Sequence, residues 1–183
     1  MLIGPTAIPE VRLITPKRHG DHRGFLSEVY SRRALAAAGI DIDFVQDNHT
    51  MTALAGTVRG LHYQLPPMAQ AKLVRVTRGA IYDVAVDLRR QSATFGRHVG
   101  AIVSAEAWNQ ILVPVGFAHG FCTLMPDTEV IYRLSNDYAP THERGLLWND
   151  EALRIAWPVG SDAAILSDRD RTNPRLADLR DVF

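Results

Sequence analysis

The chain has 183 residues, and 20 Lys and Arg balance 20 Asp and Glu to give a formal net charge of zero. That balance argues against a nucleic-acid binder held by bulk electrostatics, but leaves room for a small anion held by a few local cations. With 46% hydrophobic residues one core of ordinary size can form, and the single cysteine, Cys122, excludes an internal disulfide framework or a cysteine-based zinc site.

Taken in chain order, short β-rich runs dominate: Phe25 to Tyr30, Phe44 to His49, Thr57 to Tyr63, Lys72 to Thr77 and Ala80 to Leu88. His98 to Val103, Gln110 to Val113, Ala118 to Leu124 and Thr128 to Leu134 follow, punctuated by Gly, Pro, Asn and Asp. Many short strands at this spacing predict an all-β sandwich, jelly roll or barrel. Ser31 to Ala38 is the best helix candidate, with Ser31 as cap and Gly39 as terminator. Leu176 to Phe183 either forms a short helix or lies across the barrel. No basic-then-apolar leader and no 18-residue apolar stretch occurs. The expectation is one soluble, cytoplasmic domain spanning 1–183, with no membrane association and no nucleic-acid partner.

The run Arg59-Gly60-Leu61-His62-Tyr63-Gln64, followed by Lys72, carries the chemistry. Histidine takes up and releases a proton near neutral pH, and lysine and arginine offset the charge of an enolate or a phosphate. In a regular strand Gly60, His62 and Gln64 share one face and Arg59, Leu61 and Tyr63 the other. Arg59 then serves the pocket of His62 only if the strand bends; otherwise it serves a neighbouring subunit. In the next run Ile81, Asp83, Ala85 and Asp87 share a face, and an inward Asp83 needs a partner such as His62 or Lys72.

Pro114-Val115-Gly116-Phe117-Ala118-His119-Gly120 predicts a tight turn leading into a strand, with His119 just inside it. This spacing resembles the second motif of the cupins, double-stranded β-helix proteins. Many cupins bind a metal through a His-x-His pair in an earlier motif. Here that motif reads His62-Tyr63-Gln64, and Gln is a poor substitute for imidazole at a transition-metal site. Arg23 follows a turn in Gly20 to Glu28. Gln46 and Asn48 are able to read a sugar or base by hydrogen bonds. Tyr132 and Tyr138 are each either core packing, an acid or a stacking surface. Leu166 to Asp170 is either a solvated turn or the source of an aspartate that orients a histidine.

Together these stretches, with Gln70 to Arg75, Asp83 to Arg89, Tyr132 to Glu143 and Leu147-Trp148-Asn149-Asp150, resemble the dTDP-4-dehydrorhamnose 3,5-epimerase family over nearly the whole chain. The resemblance implies a cupin-type jelly-roll barrel with a few short peripheral helices. It implies no cofactor and no metal, and a homodimer whose subunits exchange strands across each site. The implied substrate is dTDP-4-dehydro-6-deoxy-D-glucose. By position, it makes His62 the base, Asp170 its orienting partner with Asp83 close by, Lys72 the enolate stabiliser and Tyr132 the acid. Tyr138 stacks on thymine, and Arg23, Glu28, Gln46, Asn48, Arg59, His119, Glu143 and Arg169 contact the nucleotide sugar. The alternatives are an epimerase acting at C3 or C5 alone, a metal-dependent cupin, and a non-catalytic nucleotide-sugar module. His98 and the stretch Ala105 to Gln110 depart from the family's habit without touching the expected chemistry.

Overall fold

The computed structural model describes all 183 residues. Its strands are β1 (Leu2–Pro5), β2 (Arg12–Thr15), β3 (Arg18–Asp21), β4 (Gly24–Ser27), β5 (Gln46–Thr52), β6 (Val58–Gln64), β7 (Lys72–Arg78), β8 (Ala80–Asp87), β9 (His98–Ser104), β10 (Gln110–Val113), β11 (Phe117–Thr123), β12 (Thr128–Leu134) and β13 (Glu143–Gly145). Two short helices, α1 (Arg32–Ala37) and α2 (Asp168–Arg171), and a 3₁₀ turn at Leu176–Asp178 lie outside them.

The strands form a six-stranded sheet, β1-β2-β10-β7-β12-β5, and a five-stranded sheet, β13-β6-β11-β8-β9, with β3 and β4 a separate hairpin. All named pairings are antiparallel. The two sheets face each other as a cupin-type jelly roll. Alternation explains the core: Val74, Val76, Ile111, Val113 and Val130 from one sheet meet Ile81, Ala85, Val99, Val103, Phe117 and Phe121 from the other. These are inward positions of their strands. The same inward columns carry Lys72 on β7, Tyr132 on β12, His119 on β11 and Asp83 on β8. The active-site candidates are thus polar interruptions of an otherwise apolar lining.

Seven of the nine expected strands fall within a residue or two of their predicted bounds. The first stops at Ser27, because Val29 and Tyr30 turn away; Tyr30 meets Phe44 edge-on at 5.7 Å. The second begins at Gln46 and runs on to Thr52, since Phe44 packs beneath α1 with Leu35. Helix α1 forms where expected, with Ser31 Oγ accepting from Ala34 N–H at 3.3 Å and Gly39 at a positive φ of 80°. The segment after Leu176 adopts both predicted forms in turn. A single 3₁₀ turn leads into a tail that lays Leu179, Val182 and Phe183 over the cluster containing Leu61 and Tyr63. Strands β1, β2, β3 and β13 are three or four residues long, too short to reveal an alternating pattern.

Candidate active site

His62 sits on β6 with Nε2 2.6 Å from Asp170 Oδ1. Burial pushes the Asp170 carboxyl upward, but its bonds to His62, the Gly60 N–H and Ser167 outweigh that and hold it below the ordinary range. The carboxylate is therefore an acceptor. Nε2 carries the imidazole proton, and Nδ1 keeps its lone pair. Asp170 is placed by α2, where Ser167 Oγ accepts from Asp170 N–H at 3.1 Å. The stretch expected to be a solvated turn or a histidine-orienting segment is thus a capped turn of helix delivering a buried aspartate. The Ser-x-x-Asp spacing is the signal for it.

Asp83, fully buried on β8, has His119 as its partner (Oδ2 to Nε2, 2.8 Å), in place of the His62 or Lys72 expected for it. The ladder between β8 and β11 explains this: Asp83 lies opposite Phe121 and Ala85 opposite His119, so the two side chains are diagonal neighbours on one inner face. Asp83 Oδ1 has no hydrogen-bond partner. Its charge bears on Lys72, whose pKa burial lowers to about 8 against the upward pull of Asp83 and Glu143. Lys72 Nζ lies 3.4 Å from the His62 carbonyl, to which it donates.

The parity of Arg59 is resolved by a bulge. Strands β6 and β11 pair His62 with His119 and Arg59 with Phe121, three steps on one strand against two on the other. Gly60 makes this possible. Its φ is +125°, and a Cβ there would lie 2.6 Å from the Gly120 Cα. The bulge turns Arg59 to the same side as His62. Both line one cavity of about 190 Å³, together with Thr50, Lys72, His119, Phe121 and Tyr132. Of the two readings of Arg59, the bent strand is the one seen within a single chain. Thr50 and Phe121 escaped the sequence reading, because nothing in their type separates them from ordinary strand residues.

The cavity has two unlike walls. His62 and His119 come from the five-stranded sheet, Lys72 and Tyr132 from the six-stranded one. On β13, which pairs with the His62 strand, Glu143 Oε2 accepts from Tyr138 O–H at 2.7 Å and from Arg169 Nη1 at 2.5 Å. Burial raises the Glu143 carboxyl, yet the Arg169 and Tyr138 bonds bring it below its usual range. Gln46 and Asn48 bond to each other at 2.8 Å, and Gln46 Oε1 accepts from the Tyr138 N–H at 3.0 Å. Gln46 thus supports the Tyr138 loop. Arg23 and Glu28 do not line this cavity. Both are exposed, and Arg23 sits at the turn of the β3–β4 hairpin, paired with Asp21 at 2.6 Å. No three His, Cys, Asp or Glu side chains are grouped to hold a metal ion. Gln64, at the position of a cupin's second histidine, spends its whole amide on neighbouring backbone.

A jelly-roll barrel lined by a carboxylate-bound imidazole, a buried lysine and a tyrosine defines a cupin-type isomerase working by acid–base chemistry. The chain belongs to the dTDP-4-dehydrorhamnose 3,5-epimerase family, whose profile matches residues 5–178. A dTDP-4-dehydrorhamnose 3,5-epimerase of Pseudomonas aeruginosa is 50% identical over 94% of this chain and 94% of its own length. The Legionella pneumophila 3,5-epimerase, crystallised with dTDP-4-keto-L-rhamnose, is 40% identical with a TM-score of 0.91, over 97% of this chain and 94% of that one. A 3′-monoepimerase from Streptomyces bikiniensis, bound to dTDP-quinovose, is 36% identical with a TM-score of 0.86, over 94% of this chain and 87% of that one.

Proposed function

We propose that this enzyme converts dTDP-4-dehydro-6-deoxy-D-glucose to dTDP-4-dehydro-L-rhamnose by removing and returning protons at C3 and C5. The observation that carries this reading is His62 on one sheet, bound by Asp170 of α2 and sharing a cavity with Lys72 and Tyr132 on the other sheet. The C4 ketone acidifies both neighbouring C–H bonds, and both carbanions delocalise onto the same oxygen. One ammonium, Lys72, therefore serves both inversions. His62 Nδ1 takes the proton, and the Asp170 carboxylate stabilises the imidazolium through Nε2–H. Tyr132 returns a proton to the opposite face of the ring, and exchange with solvent resets both groups. Arg59 and His119 suit the diphosphate. Tyr138, braced by Glu143 and Arg169, suits the base.

The test is turnover in D₂O. Wild-type enzyme incorporates deuterium at both C3 and C5, whereas label at C3 alone would make it a single-site epimerase. In Tyr132→Phe, exchange persists while epimerised product falls, on the order of 10²-fold for a lost general acid. Unchanged product formation removes Tyr132 from that role.

We propose further that residues 1–183 act as one domain, supported by the family match over 5–178 and by the tail packed on the core. No helix is long and apolar enough to cross a membrane. Cytoplasmic residence accords with a lone buried thiol that burial raises to about 11. The β3–β4 hairpin stands outside both sheets with Phe25 and Leu26 53% and 72% exposed. This supports a homodimer in which the hairpin brings Arg23, and Glu28 beyond it, to the partner's cavity. Mixing inactive Arg23→Ala and His62→Ala chains then restores roughly a quarter of wild-type activity, because half the chains pair unlike and one site of each such dimer is intact. If each chain completes its own cavity, mixing restores nothing.

A further inference from the structure

Tyr138 is 53% exposed, yet it is held at both ends. Its hydroxyl donates to Glu143, and its N–H donates to Gln46. The backbone on either side is gripped by Gln64, which is buried to 3% exposure at the end of β6. Gln64 Nε2 donates to the carbonyls of Met68 at 2.6 Å and Asp137 at 3.1 Å, while Oε1 accepts from the Ala139 N–H at 2.8 Å. Gln70 adds bonds to the carbonyls of Asn136 at 2.8 Å and Asp137 at 3.2 Å. In the β6–β13 ladder Gln64 lies opposite Glu143, so one register pair fixes both the loop and the hydroxyl.

We infer that Gln64 is a positioning residue that presets Tyr138 as a platform for the nucleobase, an inference that rests on Tyr138 stacking on the base. A buried amide with its donors and acceptor all used is strongly directional. An exposed ring held in place before binding loses little freedom when a base stacks on it, so the loop's order becomes nucleotide affinity. At this strand position a metal-binding cupin would present an imidazole inward. Here the side chain turns to the loop and serves recognition.

The experiment is calorimetric titration with dTDP together with steady-state kinetics. Gln64→Glu keeps the shape and the acceptor but removes both donations and sets a carboxylate against two carbonyls. It raises the dTDP Kd and the KM about tenfold and changes kcat less than about threefold, as expected of lost uniform binding. Gln70→Ala, at the half-buried end of the same clamp, shifts Kd in the same direction by less. An unchanged Kd in Gln64→Glu overturns the proposal, as does a kcat loss matching the KM rise. Should Gln64→Glu fail to fold, an unchanged Kd in Gln70→Ala overturns it instead. Tyr138→Ala separates the two readings. If it leaves Kd unchanged, the stacking assignment falls and the clamp falls with it. If it weakens binding while Gln64→Glu does not, the clamp alone is wrong.

Discussion

His62→Ala loses proton exchange at both C3 and C5, with kcat down by at least about 10³-fold, while dTDP binding stays within about threefold of wild type. The expected split follows from position. His62 lines the cavity, whereas Tyr138, Glu143 and Arg169, assigned to the nucleotide, are bonded to one another outside its lining. Two imidazoles on the wall facing Lys72 and Tyr132 are backed by carboxylates, but the His62 side chain is 29% exposed and the His119 side chain only 7%, so His62 is the one open to substrate and both epimerisations fail together without it. His119 is the nearest substitute, but it lies beside His62 on the same sheet, as its cross-strand partner. Asp170→Asn retains an acceptor for Nε2–H and loses the charge that stabilises the imidazolium, so its loss is smaller and falls on kcat. Calorimetry and solvent-exchange NMR on the purified variants check this. Exchange surviving at either carbon in His62→Ala would require a second base and would end the single-base scheme.

Side-chain identity and alternation made most of this site readable before any coordinates. The inward columns at Lys72, Asp83, His119 and Tyr132 follow directly from a pleat of period two. The rule failed at Gly60, where a bulge changes the parity. The residues Gly60 and Gly120 are the physical cause, since each backbone occupies the space a Cβ would need in the other strand. A glycine inside a strand pattern is the available warning, and its consequence for Arg59 needed the actual register. Asp83 was read as inward with His62 or Lys72 as partner; its charge does reach Lys72, but its hydrogen bond goes to His119, because diagonal neighbours across a ladder are set by strand order, which no local pattern encodes. Asp170 stands 108 residues from His62. Only the family resemblance linked the two, and the sole local trace was the Ser167 cap. Gln64 shows the reverse case. The sequence marked it as a substitution that disfavours metal binding, while its positive role depends on a loop 73 residues further on.

Lys72 should limit activity at alkaline pH and depress stability at neutral pH. Burial lowers its pKa to about 8, and that net lowering already includes the attraction of Asp83 and Glu143. In the free enzyme the ammonium that stabilises the enolate is present below about pH 8 and lost above it, so kcat/KM falls as pH rises through this value. A bound diphosphate adds negative charge and moves the corresponding limb of kcat upward. Lys72→Arg keeps its charge throughout this range and erases the limb, at some cost in kcat because the guanidinium is larger and planar. Lys72→Met removes the cation and lowers kcat by about 10²- to 10³-fold, the usual scale for one electrostatic contact to a developing oxyanion. The stability sign is opposite. The folded pKa lies below the unfolded value, so the unfolded chain binds more protons between about pH 8 and the ordinary lysine range. Stability therefore rises with pH across that window, and the full penalty applies below it. Lys72→Met escapes the penalty. It is more stable than wild type at pH 7 and melts at a higher temperature, by a free-energy margin on the order of 3 kcal/mol that closes above the ordinary lysine pKa. Thermal melts at pH 7 and pH 11 beside pH–rate profiles test both halves. A limb near pH 8 that persists in Lys72→Arg would show that the ammonium is not the titrating group, and a Lys72→Met variant less stable than wild type at pH 7 would show that it is not held at a cost.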